Sequence, residues 1–246
     1  CYLRDTDYVS GASIALPRAL WDELGGFDEL FVPAYAEDVD LAFRVRAQGL
    51  RTVVQPLSQL LHFEGISSGT DLGQGAKAYQ VENLKKLHAR WRDVLAGHRD
   101  NADHPELEKE RSVGKRMLFV DLVTPTPNED AGSLVAYEMM TAFRDSGFKI
   151  TFIPEDNFAH MGASTRDLQR VGIEAIYHPA YSSIPAFTAA RNDPFDVILL
   201  VRFRVGESHL EALRERYPHA KIIFSNCDLH YLREMREAEL SGDAAA

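Results

Sequence analysis

From residue 117 to residue 225 the chain alternates short, mostly apolar runs with helical stretches, and this alternation constrains the fold more than any other feature. Residues 117–123, 148–154, 173–177, 196–202 and 221–225 read as strands. Most are apolar at successive positions rather than at every second one, so both of their faces have to be covered. Residues 133–146, 164–171, 183–191 and 207–217 read as the helices between them, the first two closed by Gly147 and Gly172. A last helix is expected over 229–240. Strands joined by helices cannot pair as hairpins, and crossover connections make a parallel sheet with helices on both faces. The fold class is therefore α/β, with a doubly wound parallel sheet over 117–246.

The pattern before this region is less regular. Residues 8–16 read as a strand interrupted by Gly11, and 17–24 as a short helix with Pro17 in its first turn, stopped by Gly25 and Gly26. Residues 37–48 read as a helix with Gly49 beyond its end, and 52–55 and 59–63 as strands. Residues 65–75 hold four glycines and read as a loop. Residues 77–95 read as a longer helix with an apolar stripe of Val81, Leu84, Leu87, Trp91, Val94 and Leu95. In residues 97–116 only Ala102, Leu107 and Val113 are apolar and the charges balance. That composition predicts a linker, with one helical turn near Pro105, between a domain at 1–96 and another at 117–246. The chain starts at Cys1 and its first methionine is Met117. The expectation is a piece of a longer protein.

Lys plus Arg is 27 and Asp plus Glu is 37, a formal charge of −10. This opposes a broad nucleic-acid surface, so no nucleic-acid partner is expected. Any phosphate must be met locally, by a metal, a helix N-terminus or a few basic groups. Cys1 and Cys227 cannot build a disulfide framework, and reduced thiols point to a cytoplasmic setting. No run approaches 18 apolar residues, so no membrane span is expected. Peripheral association with the inner membrane face stays compatible with this, and the oligomeric state is left open.

Glu37, Asp38 and Asp40 crowd the first turn of one expected helix. Carboxylates there suit the helix dipole and cap free N–H groups. Capping needs only one or two acids, however, and like charges held together raise proton affinity, as a general base requires. His62 ends an apolar run just before the glycine-rich loop that carries Ser67 and Ser68. It is either structural or a metal ligand, and the loop is of a kind that closes over a phosphate or sugar. Trp21 and Trp91 read as core. Arg44 and Arg46 read as salt-bridge partners of helix acids, with a phosphate contact as the alternative. Asp5-Thr6-Asp7 reads as a solvated turn.

Taken in order, Val9-Ser10-Gly11-Ala12-Ser13, Gly25-Gly26-Phe27-Asp28-Glu29, Glu37-Asp38-Val39-Asp40-Leu41, Arg44, Gly49, Pro56, His62 and Ser67-Ser68-Gly69 resemble the C-terminal half of the family-2 glycosyltransferases, over about residues 7–95. The resemblance implies a GT-A fold and inverting transfer of a sugar from a nucleotide-sugar donor. It makes Asp38 the catalytic base and gives Glu37 a part in shaping the acceptor site. His62 becomes a ligand of a divalent metal, magnesium or manganese, that neutralises the diphosphate leaving group. Gly11, Ala12, Gly25, Gly26, Phe27, Ser67 and Ser68 become substrate-binding positions. The family's nucleotide-binding half and its Asp-x-Asp motif would precede Tyr8. Asp5-Thr6-Asp7 lies too close to Gly11 to be that motif, so the metal site is expected to be incomplete.

The second region lacks Gly-x-Gly-x-x-Gly, so a dinucleotide cofactor is not indicated. A phosphoacceptor receiver is disfavoured because the strand at 196–202 ends without an acid. Leu118-Phe119-Val120-Asp121, Asp130-Ala131-Gly132-Ser133, Phe195-Asp196-Val197-Ile198 and the run from Cys227 to Glu234 resemble the N-terminal domain of family-4-like, GT-B glycosyltransferases. That domain is Rossmann-like and mainly holds the acceptor. The resemblance puts Gly132 on a cleft, and His230 reads either as facing that cleft or as a surface residue of its helix. The leading expectation is a fragment of a multidomain glycosyltransferase, inactive alone, whose parent extends a glycan such as a bacterial surface polysaccharide. The alternative is a non-catalytic Rossmann-like module that binds a partner or ligand. A third reading, hydrolysis of the nucleotide sugar, differs only in whether water or a glycan hydroxyl reaches Asp38.

Overall fold

The computed structural model describes residues 1–63, 77–99, 104–226 and 230–241. It divides into two compact units, Leu3–Ser112 and Val113–Ala246, the latter with Cys1 and Tyr2.

The first unit contains β1 (Arg4–Asp5), α1 (Arg18–Leu24), a 3₁₀ turn at Glu29–Phe31, α2 (Glu37–Ala47), β2 (Val53–Val54), α3 (Ala78–Arg90), α4 (Arg92–Leu95) and α5 (Pro105–Glu108). β1 and β2 pair antiparallel, Arg4 opposite Val54 and Asp5 opposite Val53. α2 buries Leu41, Ala42, Phe43 and Val45, and α3 packs Leu87 with Phe31 and Ala36.

Four expectations are corrected here. Residues 8–16 form no strand: Ser13 N–H donates to Ser10 O, Ala12 N–H to Ser10 Oγ and Gly11 N–H to Asp38, so a turn takes the donors a ladder needs. Residues 59–63 form no strand either, and Leu61 and Phe63 are exposed. The helix at 77–95 breaks at Trp91 (φ −108°, ψ 23°), whose indole N–H is drawn to Asp40 at 2.8 Å. Val81, Leu84 and Val94 of its stripe are exposed. Asp5 and Asp7 are not merely solvated: Asp5 pairs with Arg51, and Asp7 pairs with Arg46 and Arg111.

The stretch expected as a linker also differs in its described part. Glu108 is buried and meets both Arg99 and Arg111, so its charges are paired within the first unit rather than left to solvent. Lys115 already begins the next strand.

The second unit is the α/β fold read from the sequence. It runs β3 (Lys115–Asp121), α6 (Ala131–Asp145), β4 (Phe148–Pro154), α7 (Ala163–Arg170), β5 (Glu174–Ala175), α8 (Ile184–Ala190), β6 (Val197–Val201), α9 (Phe203–Arg216), β7 (Lys221–Ser225) and α10 (His230–Ser241). The five strands form one sheet in the order β5-β4-β3-β6-β7, every pair parallel. Successive residues of β3 feed opposite cores. Met117 and Phe119 pack with Ala136 and Met140 of α6 and Leu168 of α7. Leu118 and Val120 pack with Ile184 and Phe187 of α8 and Val205 and Leu213 of α9. The sheet is thus doubly wound and Rossmann-like. The helices expected at 133–146 and 207–217 start two and four residues earlier than read.

Phe152 has no exposed surface and its ring lies 6.2 Å from that of Phe119. Phe152→Ala is expected to destabilise this unit by about 3–5 kcal/mol, read as a lowered urea midpoint at unchanged slope.

Candidate functional site

The start of α2 is set by an unusual backbone. Tyr35 (φ 76°) and Ala36 (φ 75°) both occupy the left-handed region that non-glycine residues avoid. Asn83 of α3, fully buried, holds this loop by donating through Nδ2 to Phe31 O at 2.7 Å and Ala34 O at 2.8 Å. The chain therefore enters α2 in a conformation that its own residues do not favour and that α3 enforces.

The three acids of the first turn then separate in role. Asp38 is half-buried. Its Oδ2 accepts from Gly11 N–H at 2.8 Å and its Oδ1 from Val39 N–H at 2.8 Å. A Cβ on Gly11 would lie 3.4 Å from Asp38 Cβ, close to ordinary contact distance, so the two residues are neighbours in space. Glu37 is half-buried, and its Oε2 is buried without a hydrogen-bond partner among the described residues. Asp40 turns inward with no exposed surface and takes Arg44 Nε at 2.7 Å, Trp91 Nε1 at 2.8 Å and Arg90 Nη1 at 3.3 Å.

Arg44 carries this anchor to the glycine turn. Its Nη1 donates to Leu24 O and its Nη2 to Gly26 O, each at 2.7 Å. Gly25 (φ 75°) and Gly26 (φ 70°) need glycine's freedom, and a Cβ on Gly26 would strike the Trp21 ring at 2.8 Å. Trp21 packs edge-on to Phe27, centroids 5.1 Å apart. The salt-bridge reading of Arg44 is correct, and Trp91 is both core and hydrogen-bond donor. Arg90 also bonds Asp28 at 2.7 Å. The Leu30 N–H and this guanidinium hold the Asp28 carboxyl below the usual carboxylate range.

The structure thus brings Gly11 to Asp38 and ties Gly26 to the same helix through Arg44. Ala12 sits in the exposed turn beside Gly11. His62 is exposed on a segment outside any strand, and no group of three or more His, Cys, Asp or Glu is placed to hold a metal among the described residues. The described donors do not by themselves fit a divalent ion. Ser67 and Ser68 lie outside the described residues. His230 opens α10, and its side chain lies outside the description.

In the second unit, Gly132 lies in the first turn of α6 beside the end of β3, where the strand order reverses. Asp130 caps this helix through Ser133 N–H at 2.8 Å. Asp121, at the end of β3 and buried, accepts from Arg202 Nε at 2.7 Å across the neighbouring strand. Arg202 has φ 74°, and a Cβ on Gly132 would lie 3.4 Å from its Nη2. Burial pushes the Asp121 carboxyl above its ordinary value, and Arg202 opposes that shift. Sequence reasoning passed over Asn83, the hub role of Asp40, and Arg202. The Asp40–Arg44 spacing of four and the place of Asn83 one turn before Leu87, on the face that α3 buries, were the available signals.

Comparison with known proteins gives partial matches. The chain is 41% identical over 63 residues to the O-antigen biosynthesis protein RfbC of Myxococcus xanthus, covering 26% of this chain and 5% of that protein. It is 31% identical over 91 residues to the N-acetylglucosaminyl-diphospho-decaprenol L-rhamnosyltransferase of Mycobacterium tuberculosis, covering 36% and 29%. It is 29% identical over 104 residues to the uncharacterized protein y4gI of Sinorhizobium fredii, covering 42% and 11%. The chain therefore spans less than a third of the length of each of these relatives. No protein-family profile and no solved structure matches it. The partial similarity supports a relationship to glycosyltransferases. No helix among the described residues is long and apolar enough to cross a membrane.

Asn83→Ala frees two carbonyls and is expected to cost about 2–3 kcal/mol, with hydrogen exchange accelerating at Tyr35–Asp38. Arg202→Ala leaves the Asp121 carboxylate without its cation and is expected to cost about 3 kcal/mol at neutral pH. Because the folded-state pKa of Asp121 lies above its unfolded value, the penalty falls on the ionised form. The cost should shrink as pH is lowered through that raised pKa and return as pH rises. Urea titrations across pH read both the size and the sign.

Proposed function

We propose that the chain forms the acceptor side of a glycosyltransferase that moves a sugar from a nucleotide-sugar donor to a glycan hydroxyl with inversion. The observation that carries this is the Asp38 carboxylate. It stands half-buried at the start of α2, with each oxygen oriented by one backbone N–H. A carboxylate fixed in this way, yet not enclosed, suits a general base. In this reading the acceptor hydroxyl gives its proton to Asp38 as its oxygen bonds the anomeric carbon. The bond from that carbon to the diphosphate oxygen breaks on the opposite face. Glu37, half-buried in the same helical turn, helps to shape the acceptor site. The turn at Gly25, Gly26 and Phe27 gives the acceptor an apolar wall.

The named relatives support the same class: one acts in O-antigen biosynthesis and one is a rhamnosyltransferase. We read the first unit as the acceptor half of a GT-A domain and the second as the N-terminal domain of a GT-B partner, with Gly132 facing a cleft. His62 is offered as one metal ligand. The described donors do not complete that site, and no step is assigned to it. We read the protein as cytoplasmic, a setting compatible with association at the inner face of a membrane.

The test is Asp38→Asn in the protein as its host makes it. Asn keeps the acceptor for Gly11 N–H and gives up only the local bond from Val39 N–H, so the fold should be kept. Transfer from the nucleotide sugar should fall by about 10²–10⁴ in kcat with little change in donor KM. Retained turnover removes Asp38 as base. Absence of any turnover in the wild-type protein, with ligand binding kept in the second unit, favours a non-catalytic module.

A further inference from the structure

The first unit holds a cavity of about 680 Å³ at the far end of α2 from Asp38, lined there by Phe43, Arg46 and Ala47. Asp38 and Arg46 are eight residues apart on the helix, about 12 Å along its axis. The cavity is built against the composition of the chain. Although acids outnumber bases by ten overall, Arg4, Arg46, Arg51, Lys109 and Arg111 line it, with only Asp5, Asp7 and Glu108 as lining acids.

Most of these cations are matched. Arg46 and Arg111 share Asp7, Arg111 also meets Glu108, and Arg51 pairs with Asp5. Arg4 is different. Its Nη1 donates to two backbone carbonyls, Lys109 O at 2.9 Å and Asp5 O at 3.3 Å. Among the described residues it pairs with no carboxylate. Its guanidinium is half-buried and held in place by β1, so an incoming anion finds it already oriented. The lining also includes the apolar side chains of Tyr8, Leu50 and Val94, and both Tyr8 and Leu50 keep nearly half of their surface exposed.

We propose that this cavity binds a phosphorylated small molecule, its phosphoryl group on Arg4 and its organic part against Tyr8, Leu50 and Val94. The volume suits a small organic ligand rather than a bare ion. A guanidinium fork matches phosphate oxygens in pairs. The surrounding excess of cations favours a dianion over a single carboxylate. The site is independent of the transfer reaction assigned to Asp38.

The probes are phenyl phosphate, inorganic phosphate and benzoate, titrated into the full chain at low ionic strength by calorimetry and by amide NMR shifts. Saturable binding is expected, phenyl phosphate tightest, then phosphate, with benzoate weaker than phenyl phosphate. Arg4→Gln should weaken phenyl phosphate about tenfold or more. Arg18→Gln, which touches only exposed Asp22 on α1, should leave it unchanged. Should Arg4→Gln fail to fold, Leu50→Asp at the exposed wall tests the same site and should weaken binding comparably. Absence of saturable binding in the millimolar range overturns the proposal. So does benzoate binding as tightly as phenyl phosphate, or full binding by Arg4→Gln or, in its place, Leu50→Asp.

Discussion

A carboxylate with no exposed surface has to be met by donors from several directions, and the first unit is arranged around meeting Asp40. Arg44 reaches it from the same helix, Trp91 and Arg90 from the end of α3. Each donor is then committed elsewhere: Arg44 to the carbonyls of Leu24 and Gly26, Arg90 to Asp28. One buried charge thereby fixes α2, the glycine turn and the break between α3 and α4. Removing a single partner would strand that charge, which costs far more than any one of these bonds contributes in water. The site acid Asp38 sits two residues away on a helix whose orientation this cluster determines.

The second unit depends on a different constraint. A parallel strand covered on both faces must send alternate side chains into two separate cores, and β3 does so residue by residue. The sheet separates the two cores. At the one place where strand order reverses, the polar groups collect: Asp121, Arg202 and the capped start of α6.

Much of this was legible in the sequence for a physical reason. Mostly apolar runs such as 117–123 and 148–154 call for cover on both faces, and the structure gives those strands nearly as read. Residues 8–16 and 59–63 misled because apolar content alone does not supply a partner. Gly11 spends its N–H on Asp38, and the segment ending at Phe63 has no neighbouring strand to pair with among the described residues. Trp91 and Arg111 misled because long-range partners, Asp40 and Asp7, decide their places, and a local pattern does not carry such contacts. The crowding of Glu37, Asp38 and Asp40 was visible. That the three would point in different directions was not, since the helix is entered through left-handed backbone at Tyr35 and Ala36, which those residue types do not announce.

The hold of Asn83 on the loop before α2 has a consequence for how variation in this protein should be interpreted. The residue is hydrogen-bonded to neither Asp38 nor Glu37, and it stands more than forty positions later in the chain. Yet it carries the geometric information that those two acids lack in their own neighbourhood. In a survey of substitutions it would sort with the site rather than with the core, and the long helix that bears it would look partly functional. Inheritance of the site therefore requires α3 to be inherited with it, as a template for a conformation that residues 32–36 do not encode alone.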